Sequence, residues 1–224
     1  VSAGRTPAFP GIVFEQAPTA VVTEVHRTAA PREVVFGNAR GQIGNGDRIT
    51  WGFAAMRLDR RLPHIVLENR RGGGIISTDA SEGVARGQRL RLEGDFDRTF
   101  ALHCPAGYER DALYLFTPDV MARLLDSAAA LDVEIVDDWL LVYASRPVSP
   151  VDPATWPRLT AAVEALSDKV GAWARWHDAG RPGAPDVAVA GRRVRPVSPW
   201  RWVWRFAAVM GALVGFGLLW EALT

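Results

Sequence analysis

Cys104 lies beside His103, the one place in the chain where a thiol has an adjacent imidazole. An adjacent cation lowers a thiol's pKa and turns it into a nucleophile. The surrounding pattern works against that pairing, because Phe100, Leu102 and Cys104 alternate with Thr99, Ala101 and His103. On a strand, successive side chains point to opposite faces. Cys104 is therefore expected to be a buried structural cysteine, with His103 facing away from it.

Glu93, Asp95 and Asp97 alternate so as to aim three carboxylates at one cation, with Asp137 and Asp138 as further candidate ligands. No glycine-punctuated calcium loop surrounds them, so solvated turn residues are the expectation and no metal is assigned. His26, His64, His103 and His177 show neither HExxH nor paired spacing, which leaves zinc without a site. Tyr108, Glu109, Arg110 and Asp111 could form an ion-pair network at a helix start, with a solvated, structural role as the default reading. The glycine-rich stretches RGGGIIST and GNARGQIGNGD lack the Gly-Lys-Ser/Thr ending and the following helix of a phosphate loop, so their glycines are read as turn residues. No catalytic residue, cofactor or metal is assigned on these grounds.

The elements that would position these residues read as one α+β domain with a mainly antiparallel sheet and two packed helices. Residues 1–19 form an irregular lead-in with an isolated PGIVF patch, and residues 20–178 form the domain. Residues 33–38 and 48–58 are predicted to pair as a long hairpin, Pro63 to interrupt, and HIVLE to start another strand. Strands near Leu90 and Phe100 are joined through Gly94 to Asp97, followed by a short helix in YERDALYLF. Thr117 and Pro118 open a helix whose apolar face is Val120, Met121, Leu124 and Leu125. Val133–Val136 and Trp139–Ala144 are predicted to form a hairpin turning at Asp137 and Asp138. Asp152 and Pro153 start a last helix, with Trp156, Leu159, Val163, Leu166, Val170 and Trp173 on one seam. That seam either docks on the domain's own sheet or pairs with a second copy.

At 224 residues the chain suffices for one well-cored domain plus an anchor. A lone cysteine excludes an internal disulfide framework and fits a reducing compartment. Lys169 is the only lysine among 26 basic residues, so the abundance of Arg, Ala and Gly reflects a GC-rich coding bias. The net charge of +1 is uneven: six arginines against Asp186 and Glu221 give +4 after residue 180, leaving −3 before it. A mildly acidic body argues against nucleic-acid binding, which depends on neutralising phosphates.

Residues 1–23 contain no continuous apolar core behind a basic cap, so no export signal is expected there. By contrast, residues 206–220 are uncharged and nearly all apolar. Residues 203–223 would span about 30 Å at about 1.5 Å per residue, enough for one transmembrane helix within 201–224. Trp200, Trp202 and Trp204 at one end and Trp220 at the other fit aromatic belts. The neighbouring arginines all precede the span, which predicts a cytoplasmic body at the inner membrane. Gly211 and Gly215 form a GxxxG pair that would let two such helices approach as a homodimer. Residues 179–200, rich in Pro, Gly and Arg, read as a flexible linker between body and bilayer.

The segments GFAAMRLDRRLPHIVLE, RLEGDFDRTFALHCPAGYERDALYLFTPDVM and DVEIVDDWLLVYA resemble a family of uncharacterised actinobacterial membrane proteins over about residues 10–178. The resemblance implies a membrane-associated protein with a cytoplasmic module and supplies no catalytic residues. The leading expectation is a non-enzymatic binding or scaffolding module, its protein partner unidentified. A hydrolase using Cys104 or the Glu93, Asp95 and Asp97 carboxylates is the alternative, and it requires those groups to meet in one cleft. A third class, a lipid-head-group binder using the linker arginines, would bind less tightly as salt rises.

Overall fold

A computed structural model of the chain describes residues 9–28, 32–43, 47–71, 75–76, 89–92, 95–127, 131–148, 155–180, 187–188 and 191–194, with side chains of the last helix described over 158–172. Its elements in order are α1 (Ile12–Gln16), β1 (Val21–Thr28), β2 (Val34–Gln42), β3 (Arg48–Asn69), β4 (Arg89–Leu90), α2 (Phe96–Thr99), β5 (Phe100–His103), α3 (Glu109–Leu115), α4 (Pro118–Ser127), β6 (Leu131–Ala144) and α5 (Thr155–Gly180). The fold is α+β, and every strand pairing is antiparallel.

The sheet is built on β3, 22 residues long. On one side it pairs first with β2 and then with β5, while on the other it pairs with β6 at both ends. Residues 51–56 are buried on both faces, as expected of a strand with neighbours on either side and layers above and below. The expected hairpin of residues 33–38 with 48–58 is present as β2–β3, with Val34 opposite Met56 and Gln42 opposite Arg48.

Two sequence expectations fail at one place. Pro63 does not end a strand, and Asp137–Asp138 do not turn one; both β3 and β6 run on through irregular register between Arg57 and Ile65. Asp137 takes φ 52°, a left-handed conformation that an Asp tolerates better than most residues and that inserts a bulge instead of a reversal. The proline sits within the bulged stretch, where a missing N–H costs the ladder nothing.

The bulge also exchanges the two faces. In β3, Trp51, Phe53 and Ala55 face one core and Ala54, Met56 and Leu58 the other, but beyond the bend Val66 belongs to the first core and Ile65 and Leu67 to the second. In β6, Val133 and Ile135 share a core with Leu140 and Val142, whereas Val136 shares the other with Leu141 and Tyr143. Extra residues in a period-two strand shift every later side chain to the opposite face.

Helices cover one face. Ala112 and Leu115 of α3, Val120 and Leu124 of α4, and Leu159, Val163, Leu166 and Val170 of α5 are buried against it. The α5 seam thus docks on the domain itself over its described side chains. Asp152, Pro153 and the side chains of Trp156 and Trp173 lie outside the described residues.

Terminal segments cover the other face. The lead-in expected to be irregular contains α1, whose Val13 and Phe14 are buried together with Phe9. Phe9 and Phe14 pack on Phe53 at ring-centroid distances of 5.4 Å each, and Phe9 packs edge-on against Trp139 at 5.3 Å. Burying side chains of this size stabilises by about 1.5–3 kcal/mol each. Val194, from the stretch expected to be a flexible linker, is buried in the same core. Of the glycines expected in turns, Gly37 and Gly41 lie instead within β2, paired with Phe53 and Ile49 of β3; residues 44–46, 72–74, 77–78, Glu93 and 201–224 lie outside the described residues.

Candidate functional site

Across the bent β3–β6 ribbon, the face under the terminal segments carries a row of polar side chains inside the core. His64, Glu68, Asp132 and Glu134 are all buried, the two β6 carboxylates completely. Register explains their company: Glu134 lies opposite Val66, which lies opposite His103 on β5, so these positions share one face.

Glu134 is the hub. The Ile12 N–H, at the first residue of α1, donates to both carboxylate oxygens at 3.0 and 3.1 Å, and the Tyr143 phenol donates to Oε2 at 2.9 Å. His64 Nε2 lies 2.8 Å from Oε1, and the Val194 N–H donates to His64 Nδ1 at 2.9 Å. A nitrogen that accepts from a backbone N–H carries no proton, so in this arrangement Nε2–H donates to Glu134 and the ring is held in one tautomer. One carboxylate therefore ties residue 12 directly, and residue 194 through an imidazole, to the middle of the sheet.

Gly11 makes the approach feasible. A Cβ there would lie 2.4 Å from the Tyr143 hydroxyl, 2.6 Å from Leu141 Cδ1 and 2.9 Å from Glu134 Oε2. Burial pushes the Tyr143 phenol well above its ordinary pKa, with the Glu134 charge and hydrogen bond adding to the effect. Tyr143 is thus a permanent donor.

Asp132 serves the neighbouring loop. It accepts the N–H groups of Asn69 and Ile76 at 2.7 Å each, and that of Ile75. Burial pushes its pKa up to about 7 against these three donors, and the nearby Glu68 charge raises it further. Glu68 Oε2 lies 3.6 Å from His103 Nε2, and neither ring nitrogen of the buried His103 has a hydrogen-bond partner among the described residues.

Among the described residues, those singled out from sequence do not assemble; Glu93 lies outside them. Cys104 sits in the helix-side core, on the face opposite His103 as the alternation required. Burial pushes its thiol up to about 12, with Glu109 and Asp111 adding repulsion to a thiolate. Asp95 is exposed and pairs with Arg98 at 2.9 Å, while Asp97 accepts the Leu92 N–H at 3.0 Å and faces Arg89 at 3.8 Å. Asp137 pairs with Arg193 at 3.0 Å, and Asp138 with Arg57 at 2.9 Å. Among the described residues no three His, Cys, Asp or Glu side chains are grouped to hold a metal ion. His26 is exposed on β1, and the His177 side chain lies outside the described residues.

Tyr108 holds a later segment of the chain. Its hydroxyl accepts the Ala188 N–H at 3.1 Å, and its ring lies where a Cβ on Gly191 would sit, at 2.4 Å. With Arg193 reaching Asp137 and, at 3.6 Å, Glu15, residues 187–188 and 191–194 act as a strap fastened to Tyr108 ahead of α3, to α1 and to β6.

What this arrangement does chemically is hold chain segments. Glu134 and Asp132 are filled by backbone, phenol and imidazole donors, so these two carboxylates organise structure in the way satisfied buried polar groups do. The chain matches no protein-family model, no curated protein and no solved structure. The motif resemblance therefore rests on sequence alone.

Proposed function

We propose that this chain is a membrane-anchored binding or scaffolding module, its α+β body cytoplasmic and tethered by one helix within residues 201–224. The observation that carries the non-enzymatic part of this reading is that Cys104 is buried in the helix-side core, while the described carboxylates Asp95 and Asp97 have partners of their own in Arg98 and the Leu92 N–H. The hydrolase alternative needed Cys104 and the acids in one cleft. Support for the anchor is the uncharged stretch 206–220 between tryptophan belts, with basic residues on the body side. The resemblance to actinobacterial membrane proteins points the same way.

Membrane fractionation of the full chain tests the reading. It is expected to pellet with membranes, resist an alkaline wash and require detergent for extraction. A periplasm-dependent reporter fused after Thr224 is expected to be active, and a fluorescent protein that matures only in the cytosol to be dark there. A chain that stays in solution without detergent contradicts the proposal.

A further inference from the structure

The end of the strap is held by a bond that only an unprotonated imidazole nitrogen can make. The Val194 N–H donates to His64 Nδ1 at 2.9 Å, while Nε2 faces Glu134 Oε1 at 2.8 Å. A proton added at Nδ1 turns that acceptor into a donor aimed at a second donor. The backbone bond is then lost, whereas the other nitrogen keeps its partner, now as an ion pair with Glu134. Burial of the ring does not forbid this charge, because the carboxylate beside it balances it. An imidazole is also the side chain whose ordinary titration, near about pH 6.5, falls in the physiological range.

The other attachment in this cluster responds differently. Ile12 bonds to the Glu134 carboxylate and not to the imidazole, so a proton on His64 leaves its acceptor intact. Around the ring, β6 supplies Glu134 and Tyr143, and the Tyr143 phenol stays protonated. The strap supplies Arg193, whose permanent charge is engaged by Asp137 of β6 and Glu15 of α1. Those pairs are partly exposed and hold the strap weakly. Further along the same face, Asp132 holds the amides of Asn69, Ile75 and Ile76, and Glu68 lies beside His103. None of these bonds reaches the strap.

We infer that His64 is an acid-sensitive latch: protonation of its ring releases the strap at Val194 while Glu134 continues to hold α1. The docked strap excludes a proton from Nδ1 and the released strap admits one. Docking is therefore complete above the range in which the ring titrates and is lost as pH falls through it. One proton is exchanged for one backbone bond, so the balance between docked and released strap shifts by up to about tenfold per pH unit below that range. The two terminal segments meet at one carboxylate yet come away in a fixed order, residue 194 before residue 12.

Amide hydrogen exchange of the full chain in uncharged detergent micelles tests the latch, with each amide's protection referred to an unstructured peptide at the same pH. The ratio of Val194 to Ile12 protection is expected to be constant above about pH 7 and to fall at least about tenfold by about pH 5. Asp132, whose pKa burial pushes up to about 7, titrates in the same interval, but it changes both amides alike through overall stability and cancels in the ratio. Nitrogen NMR of histidine-labelled protein is expected to show the His64 ring gaining its proton as the ratio falls. His64→Gln, whose amide does not titrate, is expected to leave the ratio flat across the whole range. A wild-type ratio that stays constant down to about pH 5 overturns the inference, whether or not the ring has gained a proton. A fall in the ratio that persists in His64→Gln overturns it equally.

Discussion

The Tyr143 phenol donates a 2.9 Å hydrogen bond to Glu134, although the two residues lie nine apart on the same strand. Nine residues of straight strand span about 30 Å. An odd separation would also place the two on opposite faces. Both obstacles are removed by the bulge at Asp137, which bends β6 sharply and moves later residues to the other face. The contact is therefore a reporter of the bend itself.

If so, the two residues are energetically coupled. Tyr143→Phe is expected to cost about 1–3 kcal/mol by leaving a buried carboxylate short of a donor. Glu134→Gln is expected to cost more, since it disturbs the Ile12, Tyr143 and His64 bonds together. A double-mutant cycle by urea denaturation is expected to give a coupling of about 1–3 kcal/mol, and strict additivity would mean that the bond contributes nothing.

Gly11→Ala tests the docking of α1. The added methyl would overlap Tyr143, Leu141 and Glu134, with an expected loss of about 1–3 kcal/mol from overpacking. Amide exchange at Ile12 is expected to accelerate in this variant while amides of β2 keep their protection.

Asp132 makes stability depend on pH in a direction opposite to that of most carboxylates. Its folded-state pKa, pushed up to about 7, exceeds the ordinary 3.8, so the folded protein holds this proton more tightly than the unfolded chain. The resulting stability is present in full below about pH 4 and is lost as pH rises toward 7, a change on the order of 4 kcal/mol. Asp132→Asn, though itself destabilising through an unpaired N–H, is expected to flatten this slope when the two proteins are compared across that range.

Cys104 is expected to be inert. At about pH 8 an ordinary thiol with pKa near 8.5 reacts readily with an aromatic disulfide reagent. The native protein is expected to show no reaction until it is unfolded, and Cys104→Ala to cost about 1 kcal/mol. Rapid labelling of the native thiol would revive the nucleophile.

The sequence was most legible where its period was unbroken. The alternation across Phe100, Leu102 and Cys104 placed His103 and Cys104 on opposite faces, and the Val120 and Leu124 spacing identified the buried side of α4. It was least legible where one residue breaks the period. Asp137 followed by Asp138 has the composition of a turn, yet the strand bends and continues, because backbone conformation at one position decides between bulge and reversal. Read as a short hairpin arm, DVEIV has a solvated face for Asp132 and Glu134; in a strand buried on both faces those acids had to find donors. A partial signal was present in HIVLE, where His64 and Glu68 lie four apart and so share one strand face. The N–H groups of residues 12 and 194 each lie more than a hundred positions from their acceptors, Glu134 and His64, and no local pattern announces them.

The chain that leaves the domain is fastened to its core at Val194, through the bond from the Val194 N–H to His64. Hydrogen exchange on the full chain in lipid nanodiscs measures this directly. The Val194 amide is expected to be protected nearly as well as amides of central β3, and to lose that protection in His64→Ala. Exchange of the Val194 amide as fast as that of an unstructured peptide would contradict the account.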